Sequence, residues 1–280
     1  MRTVSECYYC LGKLVEKTAE LATADPGLLA RAVQAGRRVL EREFPQRRIP
    51  TQIAGEAQRV IRQITGNPDP FRDVKEREMA LASQLIGEVR DRFGNDLDGL
   101  LRLAVLGNAV DFFKDLDAVV EQAAKPVTFC LDETEAFRER LAQARLVLYL
   151  ADNAAESYFD WPLVEWLAVK TEVFYVVKEG PVQNDLTVAD LVRAGFAARM
   201  QNIITTGTDT PGVDWDLASA EFKALFSQAD LILAKGMGNY ETLSELAFPR
   251  KVFYLLMAKC RPVSGALGVP LDSFVATFGS

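Results

Sequence analysis

The sequence predicts an α/β protein: a Rossmann-like, three-layer domain with a parallel sheet, preceded by an all-helical domain. Two observations predict this fold. Up to about residue 125 the apolar residues recur at helical spacing, and no alternation typical of strands is present. From about residue 126, short runs rich in β-branched residues alternate with helical stretches, which is typical of parallel strands joined by crossover helices. We therefore predict a helical domain at 1–125 and an α/β domain at 126–280.

Proline and glycine divide the first domain into helices. Asp25-Pro26-Gly27, Phe44-Pro45 and Gly66-Asn67-Pro68 each follow a stretch of helical periodicity, so each ends a predicted helix. The same periodicity predicts two more helices, at 73–93 and 97–108, of which the second is mainly apolar.

The second domain holds the predicted sheet. Its strands are the short apolar runs Leu146–Leu150, Val173–Val177, Asn202–Thr206, Leu231–Ala234 and Val252–Met257. The helices predicted between and after them lie near 158–169, 187–199, 216–228 and 240–248. The segment Val127–Leu131 is either a further strand or part of the linker, and the sequence leaves both readings open.

Composition excludes several classes of function. The net charge of −7 argues against nucleic acid or an anionic membrane as the main partner. No apolar run approaches the roughly 20 residues of a membrane helix, and the first residues lack the apolar stretch of a signal peptide, so we expect a cytoplasmic protein. The sequence contains no histidine, which removes Ser-His-Asp triads and His-based zinc sites.

The four cysteines are Cys7, Cys10, Cys130 and Cys260. A single C-x-x-C pair, without a second pair or a histidine, supplies at most half of a structural zinc site. The pair formed by Cys7 and Cys10 therefore has either a packing role or a metal-binding or redox role.

Polar residues follow the predicted strands. Asp152-Asn153 and Glu156 come after the first strand, Asn184-Asp185 after the second, and Lys235 with its neighbours after the fourth. If the strands are parallel, these loops lie on one edge of the sheet, where ligands of open α/β sheets bind. The plainer reading is that each polar group caps a helix or forms an ordinary turn.

Two kinds of chemistry are grouped at this edge. Asp152, Asn153 and Asp185 offer carboxylate and amide oxygens, which suit hard divalent ions such as Mg²⁺ or Mn²⁺. The run Lys235-Gly236-Met237-Gly238-Asn239 combines a cation with glycines whose backbone N–H groups can approach an anion, which suits a phosphoryl group. It is neither a Walker A loop nor a Rossmann fingerprint, and no cysteine has the C-x5-R spacing of a thiol phosphatase.

One polar face in the helical domain is a further candidate for the site that these loops form. Asn108 and Asp111 stand three positions apart in an apolar helix and so share a face. This face either meets solvent or closes over the predicted pocket.

In these stretches the sequence resembles the metal-dependent damage-control phosphatase family, formerly domain of unknown function 89, and within it the prokaryotic members with an N-terminal C-x-x-C. The resemblance covers nearly the whole chain. The matching stretches are Cys7-x-x-Cys10, Gly107–Asp111, Asp152–Glu156, Asn184-Asp185, Thr206–Asp209, Lys235–Glu241 and Lys259-Cys260. The family usually has glycine at the position of Ala155.

The resemblance implies a helical part on an α/β domain and a divalent metal, Mn²⁺, Ni²⁺, Co²⁺ or Mg²⁺. It implies that Asp152, Asn153 and Asp185 hold the metal and that Lys235 faces the substrate phosphate, which makes Asp152 and Lys235 the predicted catalytic residues. The further residues predicted to bind substrate or phosphate are Asn108, Asp111, Glu156, Asn184, Gly236, Gly238 and Asn239. The implied activity is hydrolysis of small phosphorylated metabolites such as sugar phosphates.

The predicted mechanism is attack by a metal-oriented water on the phosphoryl group, while Lys235 and glycine amides neutralise charge on its oxygens. The group that takes the proton is left open, because Glu156 near a helix N-terminus would be a weak base. Two alternatives remain: a methyltransferase using S-adenosylmethionine, and a non-catalytic phosphometabolite-binding protein.

Overall fold

One seven-stranded sheet organises the second half of the chain. The computed structural model describes residues 1–109, 123–199, 202–246 and 251–279. In chain order the strands are β1 Phe129–Asp132, β2 Leu146–Leu150, β3 Glu172–Val177, β4 Ile203–Thr205, β5 Leu231–Lys235, β6 Val252–Met257 and β7 Phe274–Phe278. Their spatial order is β1-β7-β6-β5-β2-β3-β4.

The predicted parallel sheet is confirmed for five consecutive strands, which extend from β6 to the edge strand β4. Strands β2 to β6 all run parallel, so their carboxyl ends meet at one edge. The segment left open in the sequence contains β1. The sequence analysis missed β7, which runs antiparallel to β6 and makes the sheet mixed. This last strand returns beside β6 without a full crossover, which an antiparallel pair permits.

The helices, in chain order, are α1 Ser5–Ala22, α2 Pro26–Glu43, α3 Pro50–Thr65, α4 Arg72–Val89, α5 Leu97–Ala109, α6 Thr134–Leu141, α7 Ser157–Ala168, α8 Val188–Arg193, α9 Ala220–Gln228, α10 Gly236–Leu243 and α11 Arg261–Leu267. One local prediction was wrong. Helix α10 begins at Gly236, directly after β5, rather than near residue 240. The helix predicted near 158 begins at Ser157, and Pro162 lies in its second turn.

Alternate strand residues pack on opposite faces of the sheet, as the pleat requires. Val147 and Tyr149 face a core shared with α4, α5, α6 and α7. Leu148 and Leu150 face a second core shared with α9, α10 and α11. The predicted three-layer arrangement is thereby confirmed.

Helices α1, α2 and α3 form a core of their own, around residues such as Val15, Val39 and Ile53. By contrast, α4 and α5 contribute to a core of the sheet. The predicted domain boundary near residue 125 therefore stays a prediction, and α1 to α3 are the part of the helical half with a separate core.

The three-helix unit is held over the sheet edge by polar contacts. Nη1 of Arg59 donates to Oδ1 of Asp209 at 2.7 Å, and Arg62 donates to Asp209 and to the carbonyl of Pro181. The backbone N–H of Gln183 donates to a side chain of α3, Oε1 of Gln58, at 3.0 Å. These contacts place α3 opposite the loops that follow β3 and β4. Among the described helices, none is both long and apolar enough to span a membrane.

Candidate active site

A cavity of about 480 Å³ lies between α1 and α3 on one side and the carboxyl edge of the sheet on the other. Asp152, Asn153 and Asp185 line its sheet side, together with Asn108 and Gly238. The loops after β2, β3, β5 and β6 thus reach one cavity, as the parallel strand order requires.

The loops after β2 and β3 are joined by backbone contacts. Asn153 and Asp185 form an isolated antiparallel bridge. The N–H of Leu186 donates to the carbonyl of Asp152 at 2.8 Å, and the N–H of Ala154 donates to the carbonyl of Asn184 at 2.7 Å. Backbone pairing therefore brings Asp185 next to Asp152 and Asn153, although it comes more than thirty positions after them in the sequence.

Two amides hold the carboxylates in place. Nδ2 of Asn108 donates to Oδ2 of Asp152 at 3.2 Å and to Oε1 of Glu156 at 2.8 Å. Nδ2 of Asn153 donates to the same two oxygens, at 3.2 and 2.7 Å. The other end of Asn108 accepts a hydrogen bond from the N–H of Met257 at 3.0 Å. Its face is thus turned to the pocket, whereas Asp111 lies outside the described residues.

Lys235 lies behind this layer. Its Nζ donates to Oε2 of Glu156 at 2.9 Å and to Oδ1 of Asp160 at 2.6 Å, and the side chain is fully buried. Among the described residues that line the cavity, Lys235 is absent. The structure therefore places its charge against two carboxylates, one layer away from the surface that a substrate would touch.

The remaining predicted binding residues have different positions. Gly236 has a positive φ of 73° and abuts Asp152, so any side chain there would overlap the carboxylate. Gly238 lines the cavity. Asn239 donates to the carbonyls of Ala151 and Lys235 and so ties α10 to β2 and β5. This amide joins the loops without reaching the cavity wall.

Asn184 also serves as a link between elements. Its Nδ2 donates to Oε2 of Glu78, a buried residue of α4, at 3.1 Å. The contact fixes the loop after β3 against the helical half, next to the predicted metal ligand Asp185.

The charges of this cluster are unequal. Burial raises the pKa of Asp152 well above its usual value, and the neighbouring charges of Glu156 and Asp185 raise it further. Burial likewise raises the pKa of Asp185 to about 6, even though Lys178 lies 3.6 Å from its Oδ2. Carboxylates that hold their protons this firmly indicate a site with too little positive charge.

The pKa values of the two carboxylates that contact Lys235 are shifted in opposite directions. Burial alone would raise the pKa of Glu156, but the charges of Lys235 and Lys259 and the hydrogen bond from Asn108 outweigh it, so the pKa is lowered. Burial raises the pKa of Asp160 to about 6, against the opposing charge of Lys235. Glu156 is therefore ionised at neutral pH and acts as an acceptor for the amides.

The residues present fit a divalent cation. Within the described chain no three His, Cys, Asp or Glu residues form a ready-made metal cluster, and the predicted set is two carboxylates and one amide. However, Oδ2 of Asp185 is buried without a hydrogen-bond partner. Three buried carboxylates (Glu156, Asp160 and Asp185) and the partly exposed Asp152 face two buried lysines (Lys178 and Lys235). Mg²⁺-type sites commonly use one or two carboxylates and complete the shell with water and substrate phosphate.

Sequence reasoning missed several charged residues of the site. Asp160 and Lys178 are buried partners of the cluster, and nothing in their spacing distinguished them from other charged residues. Lys259 and Arg261 line the cavity wall. Lys259 follows β6 at the same sheet edge, and this position was the available signal.

Ala155 is accommodated without backbone strain. It is fully buried, and the described residues with positive φ do not include it. A glycine conformation is therefore not required at this position, and the methyl group packs in the core of one sheet face.

Comparison with known proteins then identifies the family. The model of the damage-control phosphatase ARMT1-like domain matches residues 3–275. The chain belongs to this family. A damage-control phosphatase of Pyrococcus horikoshii is 36% identical over 98% of this chain and 97% of that protein. One of Archaeoglobus fulgidus is 29% identical over 96% of each chain. The prediction of a damage-control phosphatase is confirmed.

The fold of the family is also matched by experiment. The crystal structure of a DUF89 family protein from Pyrococcus horikoshii superposes with a TM-score of 0.91 and 32% identity, covering 100% of both chains. The predicted α/β fold class of this damage-control phosphatase is thus confirmed over its whole length.

Proposed function

We propose that this phosphatase is a metal-dependent phosphomonoester hydrolase acting on small phosphorylated metabolites, with Asp152, Asn153 and Asp185 as the metal ligands. The observation that carries the proposal is the convergence of these three side chains on one cavity wall, where Oδ2 of Asp185 is buried without a hydrogen bond and its ion-pair partner Lys178 lies 3.6 Å away. When bound, a divalent ion supplies charge stabilisation at the phosphoryl oxygens and a more acidic water.

The amides orient the metal-binding oxygens. Oδ2 of Asp152 accepts hydrogen bonds from Asn108 and Asn153. In this proposal the other carboxylate oxygen, Oδ1, therefore binds the cation. The donation by Nδ2 of Asn153 in turn leaves its own Oδ1 for the ion. Neighbours that fix ligands in this way commonly strengthen metal binding by 10- to 100-fold, roughly.

Lys235 acts as a positioning residue in this proposal. Its charge keeps Glu156 ionised, and Glu156 holds the two amides that orient Asp152. The direct contacts to the phosphate come from the cavity wall, where Lys259 and Arg261 supply positive charge. Arginine and lysine are common phosphate-binding side chains.

The proposed metal is Mn²⁺, Ni²⁺, Co²⁺ or Mg²⁺, because each accepts carboxylate and amide oxygens. The test measures phosphate release by metal-stripped protein with each ion added separately. We expect activity to require an added ion and Asp152→Asn to lower kcat at least 100-fold, roughly the scale of a lost charge-stabilising group. Asp91→Asn, at an exposed position, is the matched control and keeps wild-type activity. Equal turnover with and without metal contradicts the proposal.

A further inference from the structure

Part of the cavity wall differs from the part that carries the charges. Leu11 and Leu14 of α1, Pro50 and Ala54 of α3, and Met237 of α10 form an apolar part of the lining, and most of the lining surface of the cavity as a whole is carbon or sulfur. This wall continues directly into the end that holds Asp152 and Asp185. A phosphate ester bound at the charged end therefore directs its alcohol portion along an apolar wall.

The three cysteines of the cavity belong to the same wall. Cys7 and Cys10 of α1 and Cys260 before α11 all line it. Burial raises the pKa of each thiol, so the sulfurs are neutral at neutral pH and present a soft, weakly polar surface. The C-x-x-C pair thus contributes uncharged sulfur surface to the wall, beside the aliphatic side chains.

Size and charge restrict what this wall can hold. At about 480 Å³ the cavity is in the range of drug-sized ligands, so a phosphate group fills only part of it. With a divalent ion at Asp152 and Asp185, Lys259 and Arg261 match the two charges of a phosphate monoester. Glu6 and Glu241 also line the cavity and oppose a second anionic group.

A sugar fits this surface poorly. A hexose carries a hydroxyl on nearly every carbon, and each hydroxyl that leaves water without finding a partner weakens binding. Among the described lining residues of the α1 and α3 wall, Glu6 and Thr51 are the polar side chains besides the thiols, so this wall offers few partners for several hydroxyls. Oγ1 of Thr51 is buried and has no hydrogen bond of its own.

We propose that the preferred substrates are phosphate monoesters whose alcohol portion is uncharged and mainly apolar, held against the wall formed by α1, α3 and Met237. The proposal rests on the proposed function, because it assigns the phosphate to the charged end of the cavity.

The experiment is a chain-length series. Straight-chain alkyl phosphates from ethyl to hexyl have nearly the same leaving-group reactivity, so differences in kcat/KM report binding of the chain. We expect kcat/KM to rise about three- to fourfold per added methylene and hexyl phosphate to exceed a hexose 6-phosphate. Calorimetry with the non-hydrolysable ethyl- and hexylphosphonates measures the same preference without turnover.

A variant tests whether this wall causes the preference for longer alkyl chains. Leu14→Gln keeps the size and helix-forming character of the side chain, and we expect it to lower the hexyl-to-ethyl ratio of kcat/KM about tenfold, roughly the contribution of a buried leucine side chain. Leu217→Gln makes the same change at an exposed site and retains the ratio. If Leu14→Gln does not fold, the series and the phosphonate titrations on the wild-type protein still decide the matter.

The outcomes separate the two proposals. Metal-dependent turnover of ethyl phosphate with a flat chain-length series, or a hexose 6-phosphate as the better substrate, overturns the assignment of an apolar alcohol and leaves the proposed function intact. Absence of turnover for every ester with all four metals overturns both. A rising series together with tighter binding of hexylphosphonate supports the assignment.

Discussion

Gly236 and Asp152 are in such close contact that a Cβ atom at residue 236 would overlap the carboxylate. Gly236 also has a φ of 73°, a backbone conformation that residues other than glycine rarely adopt. The start of α10 and the carboxylate that follows β2 are therefore fitted to each other, and glycine is required by both the space and the backbone angle.

This contact predicts the effect of Gly236→Ala. The added methyl group displaces Asp152, so we expect metal affinity to fall by roughly 10- to 100-fold, the range seen when the supports of metal ligands are removed. Calorimetric titration of the metal measures it. Gly87→Ala, at an exposed position in the last turn of α4 with open space at its Cβ position, serves as the control and stabilises the protein slightly. Unchanged metal affinity in Gly236→Ala would contradict the assignment of Asp152.

The two buried ion pairs of Lys235 predict that replacing this residue strongly lowers the free energy of unfolding. Lys235→Met removes the cation between Glu156 and Asp160 and leaves buried charge without its partner, which costs about 3–5 kcal/mol of unfolding free energy. Denaturant unfolding at pH 7 measures this loss. Lys17→Met, at an exposed position of α1, should change the unfolding free energy by less than about 0.5 kcal/mol. A Lys235→Met protein as stable as the wild type refutes the buried ion pair.

The raised pKa of Asp185 predicts how stability depends on pH in the metal-free protein. Burial raises this pKa from 3.8 to about 6, so between these values the folded protein binds a proton that the unfolded chain releases. The stabilisation from this group is therefore present at low pH and is lost as pH rises through about 6. In Asp185→Asn, the part of the pH dependence due to this residue should disappear from denaturant unfolding measured between pH 5 and 7.

The same proton competes with the metal. A carboxylate must be ionised to coordinate a divalent cation, so metal affinity falls as pH is lowered. We expect a drop of about tenfold per pH unit for each displaced proton below pH 6, because one pKa unit corresponds to a tenfold change in binding. Burial also raises the pKa of Asp152 well above its usual value, so this carboxylate adds to the proton release. Metal titrations in buffers of different ionisation enthalpy count the released protons, and an affinity independent of pH between 5 and 8 excludes both carboxylates as ligands.

The ion pairs of Asp209 with α3 predict how strongly the three-helix unit is attached to the sheet. Asp209→Asn weakens the ion pairs with Arg59 and Arg62, which are only partly exposed, and should lower the local stability of residues 1–65 by about 1–2 kcal/mol. Hydrogen exchange should increase in α1 to α3 and remain unchanged in the sheet. Glu135→Gln, which removes an exposed ion pair with Arg138, provides the comparison and leaves exchange at wild-type rates. Uniform protection in Asp209→Asn would show that other contacts hold the unit.

Much of the architecture follows from local patterns in the sequence. The five parallel strands could be predicted because buried parallel strands read as short, nearly continuous apolar runs. Strand β7 was missed because its pairing with β1 and β6 is a long-range property that a five-residue run does not reveal. The start of α10 was misplaced because Gly236 and Gly238 suggest a turn. In the structure they form the first turn of a helix, in which Gly236 contacts Asp152 and Gly238 contacts Gly212.

The sequence by itself determined the fold class, the family and the set of polar residues at the strand ends, because these depend on residue types, their order and their spacing. Only the tertiary structure decided what each side chain touches. It placed Lys235 against Glu156 and Asp160, behind the cavity, and it brought α1 and α3 over the proposed metal ligands as a mainly apolar wall. The physical reason is that burial and contact arise from segments far apart in the chain, whose side chains meet only after the sheet and helices have packed.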